Sequence, residues 1–346
     1  MLKIIISIVG VLLILIVAFV AYLSISEYKP EDTEALTAQS GNQTLQLSKD
    51  ISIISYNIGY AALSQDEDFF MDGGQRVRPA GKDLINANLE GISSILKEND
   101  ADIYLLQEAD LNSKRSYHIN QMDYLEEALD TPGIFAYNFK CNYIPYPLPT
   151  IGKVESGLLT LSAYTITNAS RVSLPVPFRW PVRMCNLKRC LMVTRLPIEG
   201  ADQELVLINL HLEAYDDGEG KAEQTQVLMS LMEEEYQKGN YVIAGGDFNQ
   251  SFEGYDETYP LHSYDWVPGL IEEEGLPEGF RFAVDDSYPT SRVLNAPYAG
   301  NYEESQVHVI DGYIVSDNVE VNAVKVIDTQ FEYTDHQPVK LTVKLK

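Results

Sequence analysis

Tyr241-Val242-Ile243-Ala244-Gly245-Gly246-Asp247-Phe248-Asn249 decides the reading of this chain. Its first residues form an apolar run of the kind that becomes a strand. Two glycines end the run, and a carboxylate and a carboxamide follow two positions apart. In an extended chain that spacing turns Asp247 and Asn249 to the same side. A second junction lies near the end, where Thr334-Asp335-His336 sets a carboxylate beside an imidazole ahead of the apolar stretch 339–345. Carboxylate, carboxamide and imidazole at strand ends are the groups that a metal-assisted phosphoester hydrolase needs.

Four further strand ends carry polar groups. Ile51–Tyr56 leads into Asn57, Leu105-Leu106 into Gln107 and Glu108, Val206–Ile208 into Asn209 and His211, and Val309-Ile310 into Asp311. Any one of these is as well read as a turn former. Six ends bearing Asn, Glu, His, Asp with Asn, Asp, and Asp with His make a set that a series of turns does not explain.

Between these ends, strand and helix signals alternate. Leu84, Ile85, Leu89, Ile92, Ile95 and Leu96 fall at helical spacing, which predicts a helix over 82–99. A second helix is expected over 221–236, with Val227, Leu228, Leu231 and Met232 inward. Strands are expected at 51–56, 102–106, 156–162, 190–195, 204–210, 241–244, 307–315, 320–327 and 339–345. Strands with interspersed helices and a mostly β second half predict an α/β sandwich. Residues 251–305 lack a regular pattern and read as functional loops. Their aromatics (Tyr255, Tyr259, Tyr264, Trp266, Phe280) either reach a membrane interface or pack the loop against the domain.

The chain opens on Ile4–Leu23, apolar, uncharged and of the roughly 20 residues needed to cross a bilayer. Lys3 precedes it, and Glu27, Glu31 and Asp32 follow. The positive-inside rule then predicts a single-pass anchor over 1–26, its N-terminus cytoplasmic and the remainder outside the cytoplasm. A cleaved signal peptide is the rival, although Phe19 stands where a small residue should precede Ala21. Residues 27–48 are polar and read as a flexible stalk. The folded domain is expected to run over 49–346.

Of 346 residues, 45% are hydrophobic and 22% charged, which suits a globular enzyme. The 25 Lys and Arg against 51 acids give a net charge of -26. Such a chain repels polyanions, which disfavours tight non-specific duplex binding. Cys141, Cys185 and Cys190 lack zinc-site spacing, and a Cys185–Cys190 bridge would need an oxidising compartment.

These islands resemble, in order, the endonuclease/exonuclease/phosphatase superfamily, over about residues 51–346. Its members include DNase I-like nucleases, abasic-site endonucleases, inositol-polyphosphate 5-phosphatases and neutral sphingomyelinases. The resemblance implies a DNase I-like four-layer sandwich, two packed mixed sheets flanked by helices. It also implies a Mg²⁺ cofactor, with Mn²⁺ as a substitute. Glu108 is similar to the main metal ligand, with Asn57 and Asp335 close by. Asp247 resembles the residue that orients or deprotonates the attacking water, and Asn249 one that bonds a phosphate oxygen. His336 resembles the group that stabilises the pentacoordinate state or protonates the leaving oxygen. Asp311 is similar to the carboxylate that fixes its tautomer, and His211 to a second histidine on the same phosphate.

Arg115 and Arg292 lie near these motifs in a chain poor in basic residues. Each is a candidate bidentate anion contact, or a solvated surface arginine. Asp72-Gly73-Gly74 reads as a turn, with the rim of the site as the alternative, and His118, His262 and His308 as ordinary surface or loop residues. The expected activity is a Mg²⁺-dependent phosphodiesterase or phosphatase acting outside the cytoplasm on a phospholipid-like or small phosphorylated substrate. The alternatives are an extracellular nuclease and a membrane-tethered, non-catalytic binding module.

Overall fold

The computed structural model describes residues 1–38, 41–216, 218–255, 259–262 and 266–346. It opens on the helix α1 (Leu2–Ile25), whose apolar side chains are almost all exposed. Strands β1 (Thr33–Ala35) and β2 (Asp50–Asn57) follow, then α2 (Lys82–Asn99), β3 (Ile103–Asp110) and α3 (Gln121–Leu129). Next come β4 (Gly133–Ile144), β5 (Gly152–Ser162), β6 (Asn168–Ser173), β7 (Cys190–Pro197) and β8 (Glu204–His211). The chain continues through α4 (Glu219–Gln237), β9 (Tyr241–Asp247), β10 (Gln250–Phe252), β11 (Gly269–Ile271) and β12 (Phe280–Ala283). It closes with β13 (Ser291–Arg292), β14 (Val307–His308), β15 (Asp311–Ser316), β16 (Val319–Val326) and β17 (Val339–Leu345).

Among the described residues, two large mixed sheets form. One has the order β1-β6-β7-β8-β9-β15-β12 and the other β16-β17-β2-β3-β5-β4. Each is built around one parallel pair, β8 with β9 and β2 with β3, and each pair is joined through a helix. The apolar runs explain the layering, because strands covered on both faces need no polar alternation. Ile51, Ile53, Ile103 and Leu105 point into the interface between the sheets, where they meet Leu205, Leu207, Ile243 and Val315. Their neighbours Ile54, Tyr56, Tyr104 and Leu106 point outward onto Ile85, Leu89, Ile92 and Leu96 of α2. On the other sheet, Val206, Ile208, Val242 and Ala244 meet Leu228 and Met232 of α4. The result is the four-layer α/β sandwich, helix on sheet on sheet on helix.

The strand ends gather at one edge because the two parallel pairs point their C-terminal ends to the same side. Glycine secures the close approach at β9. A Cβ on Gly246, whose φ is +152°, would stand 2.0 Å from the Leu210 carbonyl oxygen. One on Gly245 would stand 2.4 Å from the Tyr313 ring.

Three expectations need correction. The segment 27–48 is not a free stalk: β1 pairs antiparallel with β6, and Leu45 is 1% exposed in the inter-sheet core. Three residues of backbone pairing on an open sheet edge and one buried leucine need no periodicity, so the polar composition hid them. The loop 251–305 contains β10 to β13, and its aromatics turn inward. Phe280, Tyr255 and Tyr259 pack on the α4 side of the core, and Trp266 donates from Nε1 to the Ala214 carbonyl at 2.9 Å; Tyr264 lies outside the described residues. His308 is buried against Trp266, where burial pushes its imidazole down to about 4. The cysteines agree with the reading that no bridge forms: all three are free, and Cys185 packs beside Cys141.

Candidate active site

The edge where β2, β3, β8 and β9 end and β15 begins carries a cavity of about 650 Å³. Glu108, Arg115, His211, Asp247, Asn249, Arg292, Asp335 and His336 line it. Asn57 and Asp311, both 1% exposed, stand behind that lining. The structure therefore brings all ten candidate residues to one place.

Asp247 is the hub. Its Oδ2 accepts from Asn57 Nδ2 at 3.0 Å and lies 3.4 Å from His211 Nε2 and 3.6 Å from His336 Nε2. Its Oδ1 accepts from the Asn249 backbone N–H at 2.9 Å, which fixes the turn after β9. Asn249 has a φ of 50° and donates from its side chain to the Leu212 carbonyl at 2.9 Å. Glu108 also has a positive φ, 56°, at the irregularity in the β3–β5 register. Non-glycine residues held in this region mark positions that the surrounding fold over-determines.

The two imidazoles are tuned apart. His336 Nδ1 lies 2.8 Å from Asp311 Oδ2. Burial alone would lower the His336 pKa, but the Asp311 and Asp247 carboxylates raise it well above its ordinary value. His211 is held well below by burial, with the Arg189 and His336 charges adding to the effect. Burial raises Asp247 to about 6 against the opposing pull of His336. The arrangement thus offers a protonated imidazole beside a carboxylate that ionises just below neutrality.

Glu108 and Asp335 are oxygen donors facing the same cavity. Burial lifts Asp335 to about 7; His336 opposes this, and the nearby charge of Glu108 adds to it. Two crowded carboxylates of this kind fit a hard divalent cation, whose charge would relieve both. Asp247, Asp311 and His336 also bring three ligand atoms within 4.8 Å of one another. That group could hold an ion, but the His336 nitrogen facing Asp311 is already engaged at 2.8 Å, so the Glu108 and Asp335 side of the cavity is the better seat.

The arginines are less free than their positions in the sequence suggest. Arg115 forms a bidentate pair with Asp110 at 3.1 and 3.0 Å and lies 3.5 Å above the Tyr60 ring. Arg292 donates to the carbonyls of Ser64, Glu67 and Ala296. Both line the cavity, yet both are anchored in its wall, and neither is a solvated surface residue. The sequence gives no role to Thr334, which donates to the Asn57 carbonyl at 3.2 Å, or to Tyr215, which donates to Asp72 Oδ1 at 2.6 Å. Thr334 adjoins Asp335 and was within reach of the motif. The Asp72–Tyr215 bond spans distant segments and left no signal. Asp72 is both a turn residue, before Gly73 at φ 95°, and part of the cavity wall.

A DNase I-like sandwich carrying this constellation at its strand ends defines a class. The chain belongs to the endonuclease/exonuclease/phosphatase family, whose model matches residues 54–292. A solved endonuclease/exonuclease/phosphatase from Beutenbergia cavernae is similar at 15% identity and a TM-score of 0.62, covering 86% of this chain and 72% of its own. One from Bacteroides vulgatus is similar at 15% identity and a TM-score of 0.55, covering 86% of this chain and 100% of its own. A humanized TDP2 from D. rerio gives 15% identity and a TM-score of 0.53, covering 85% and 99%. At this identity these likenesses show the fold. No curated protein matches the sequence.

Proposed function

We propose that the chain is a Mg²⁺-dependent phosphoester hydrolase, a phosphodiesterase or phosphatase, acting outside the cytoplasm on a phospholipid-like or small phosphorylated substrate. One observation carries this reading: Asp247 Oδ2 lies within 3.6 Å of both His211 and His336, all three on a cavity that Glu108 and Asp335 also face, with Asp311 behind His336.

In the proposed reaction a water oxygen attacks phosphorus and one ester P–O bond breaks. Asp247, as carboxylate, orients the water and accepts its proton. His336, as imidazolium, stabilises charge on the phosphoryl oxygens and gives its proton to the departing oxygen. Asp311 keeps the His336 ring in place and charged. His211, held neutral, donates a hydrogen bond to the phosphate without adding charge. Asn57 holds Asp247, and Asn249, which lines the cavity, bonds a phosphate oxygen while its side chain also donates to the Leu212 carbonyl. Glu108 and Asp335, with Asn57 nearby, would hold the cation. When bound, it supplies Lewis-acid polarisation of the phosphoryl oxygen. Arg115 and Arg292 act by shaping the wall and placing cationic groups in it near the phosphate.

The proposed location rests on α1, which is long and apolar enough to cross a bilayer and almost wholly exposed. Lys3 before it and the acids after it support a cytoplasmic N-terminus. The net charge of -26 favours lipid or small-molecule substrates over nucleic acid. Parallel incubation of the protein with liposomes and with plasmid in Mg²⁺ tests the choice. Lipid cleavage with intact plasmid is expected. Rapid plasmid nicking with intact lipid would place the substrate among nucleic acids.

A further inference from the structure

The catalytic cavity does not end at the catalytic residues. It continues past Tyr60 and Phe139 to Ile144 on β4, and on to the 3₁₀ turn Val182–Cys185. There Val20 and Leu23, in the last turns of α1, form part of the same wall. Polar groups concentrate at the β-strand end, and the extension is lined mainly by aliphatic and aromatic side chains. A phosphoryl group and a water need none of that apolar space.

The helix end is fixed against this extension by several independent contacts. Leu23 is 7% exposed, whereas most of the helix is bare. Ser24 Oγ approaches Met184 Sδ at 3.0 Å, and the Phe19 and Tyr143 rings meet edge to face at 6.2 Å. Just past the helix, Glu27 pairs with Arg183 at 3.2 Å and with Lys188 at 3.6 Å. On the lining of the same mouth Tyr146 and Val182 are 73% and 58% exposed, and Leu148 and Trp180, close to them in the chain, are 83% and 63% exposed. Exposed apolar side chains gathered at one rim mark an interaction surface. Tyr and Trp favour the boundary between head groups and acyl chains.

We infer that the Ile144–Val182–Leu23 extension of the cavity is a hydrocarbon-chain channel. On this account it receives the tail of a membrane-resident phosphoester from the leaflet where α1 ends, and presents the ester to Asp247 and His336. The occupant follows from continuity: the helix that would lie in acyl chains supplies the channel's outer wall, so a chain can pass from bilayer to channel without crossing water. A volume of about 650 Å³ for the whole cavity falls within the ~300–1,000 Å³ of sites that enclose an organic ligand. The inference rests on the phosphoester-hydrolase reading above and narrows its substrate to esters bearing an alkyl or acyl tail.

The test uses the full chain in phosphatidylcholine nanodiscs with Mg²⁺ and a series of p-nitrophenyl alkyl phosphate diesters, methyl to dodecyl, which share one leaving group. KM should fall by roughly fourfold per added methylene until the channel is filled, as expected for burial of apolar surface. In Val182→Trp, at an exposed position of the channel wall, that dependence should flatten at a shorter chain. Simple partition of the ester into lipid would leave the two proteins with the same slope. Turnover with no chain-length dependence, or an unchanged slope in the variant, overturns the channel alone. No turnover of any ester, methyl included, overturns the hydrolase reading and the channel with it.

Discussion

His336 Nδ1 stands 2.8 Å from Asp311 Oδ2, and both side chains are almost fully buried. A carboxylate in this position selects the ring tautomer and favours the charged imidazole, which is what proton donation to a leaving oxygen requires. Asp311 does not line the cavity, so it acts through His336. Asp311→Asn should keep the fold and the ring contact but lower kcat by about tenfold or more, with KM little changed. A wild-type kcat in Asp311→Asn would remove it from the mechanism.

Asp247 and His336 meet the substrate directly in the proposed reaction. Asp247→Ala and His336→Ala should each lower kcat by about two orders of magnitude or more. Because the two share one hydrogen-bonded cluster, the double variant should lose much less than the product of the single losses. Steady-state kinetics on one soluble diester, with circular dichroism to confirm folding, checks both statements. Rates like wild type in both single variants would refute the site.

Gly246 faces the Leu210 carbonyl at a distance no side chain tolerates and at a φ of +152°. Gly246→Ala should therefore lower unfolding stability by about 1–3 kcal/mol or more and reduce activity by shifting the β9 end that carries Asp247. Denaturant unfolding and kcat measured on the same preparation decide this. A variant with unchanged stability and activity would show that the β8–β9 approach is looser than the structure has it.

The segment between the helix and the sandwich gives a separate test. Leu45 is buried in the inter-sheet core, so Leu45→Ala should cost about 2–5 kcal/mol. A flexible stalk would lose nothing. Thermal unfolding with and without the substitution separates the two.

Much of the layout was legible because it depends on local pattern. Helical spacing over 82–99 matches α2 from end to end, and the six strand ends bearing polar groups converge at one cavity. What stayed hidden depends on contacts between distant residues. Strand β1 is three residues without periodicity, and β4 alternates too irregularly to stand out. Arg115 lines the cavity, but its commitment to Asp110 and Tyr60 is set by tertiary packing. Asp72 looked like a turn because Gly73 follows it; its bond to Tyr215 joins residues that only the fold brings together.

The central claim is that this cavity hydrolyses phosphoesters with a divalent cation held at Glu108 and Asp335. The most direct measurement is hydrolysis of bis-p-nitrophenyl phosphate by the purified full chain in Mg²⁺, after chelation by EDTA, and after Mg²⁺ is restored. The account predicts turnover that EDTA abolishes and Mg²⁺ restores, with Glu108→Gln needing at least about tenfold more Mg²⁺ for half-maximal rate. Turnover indifferent to EDTA, or none with this or any other phosphoester in the presence of divalent metal, would contradict it.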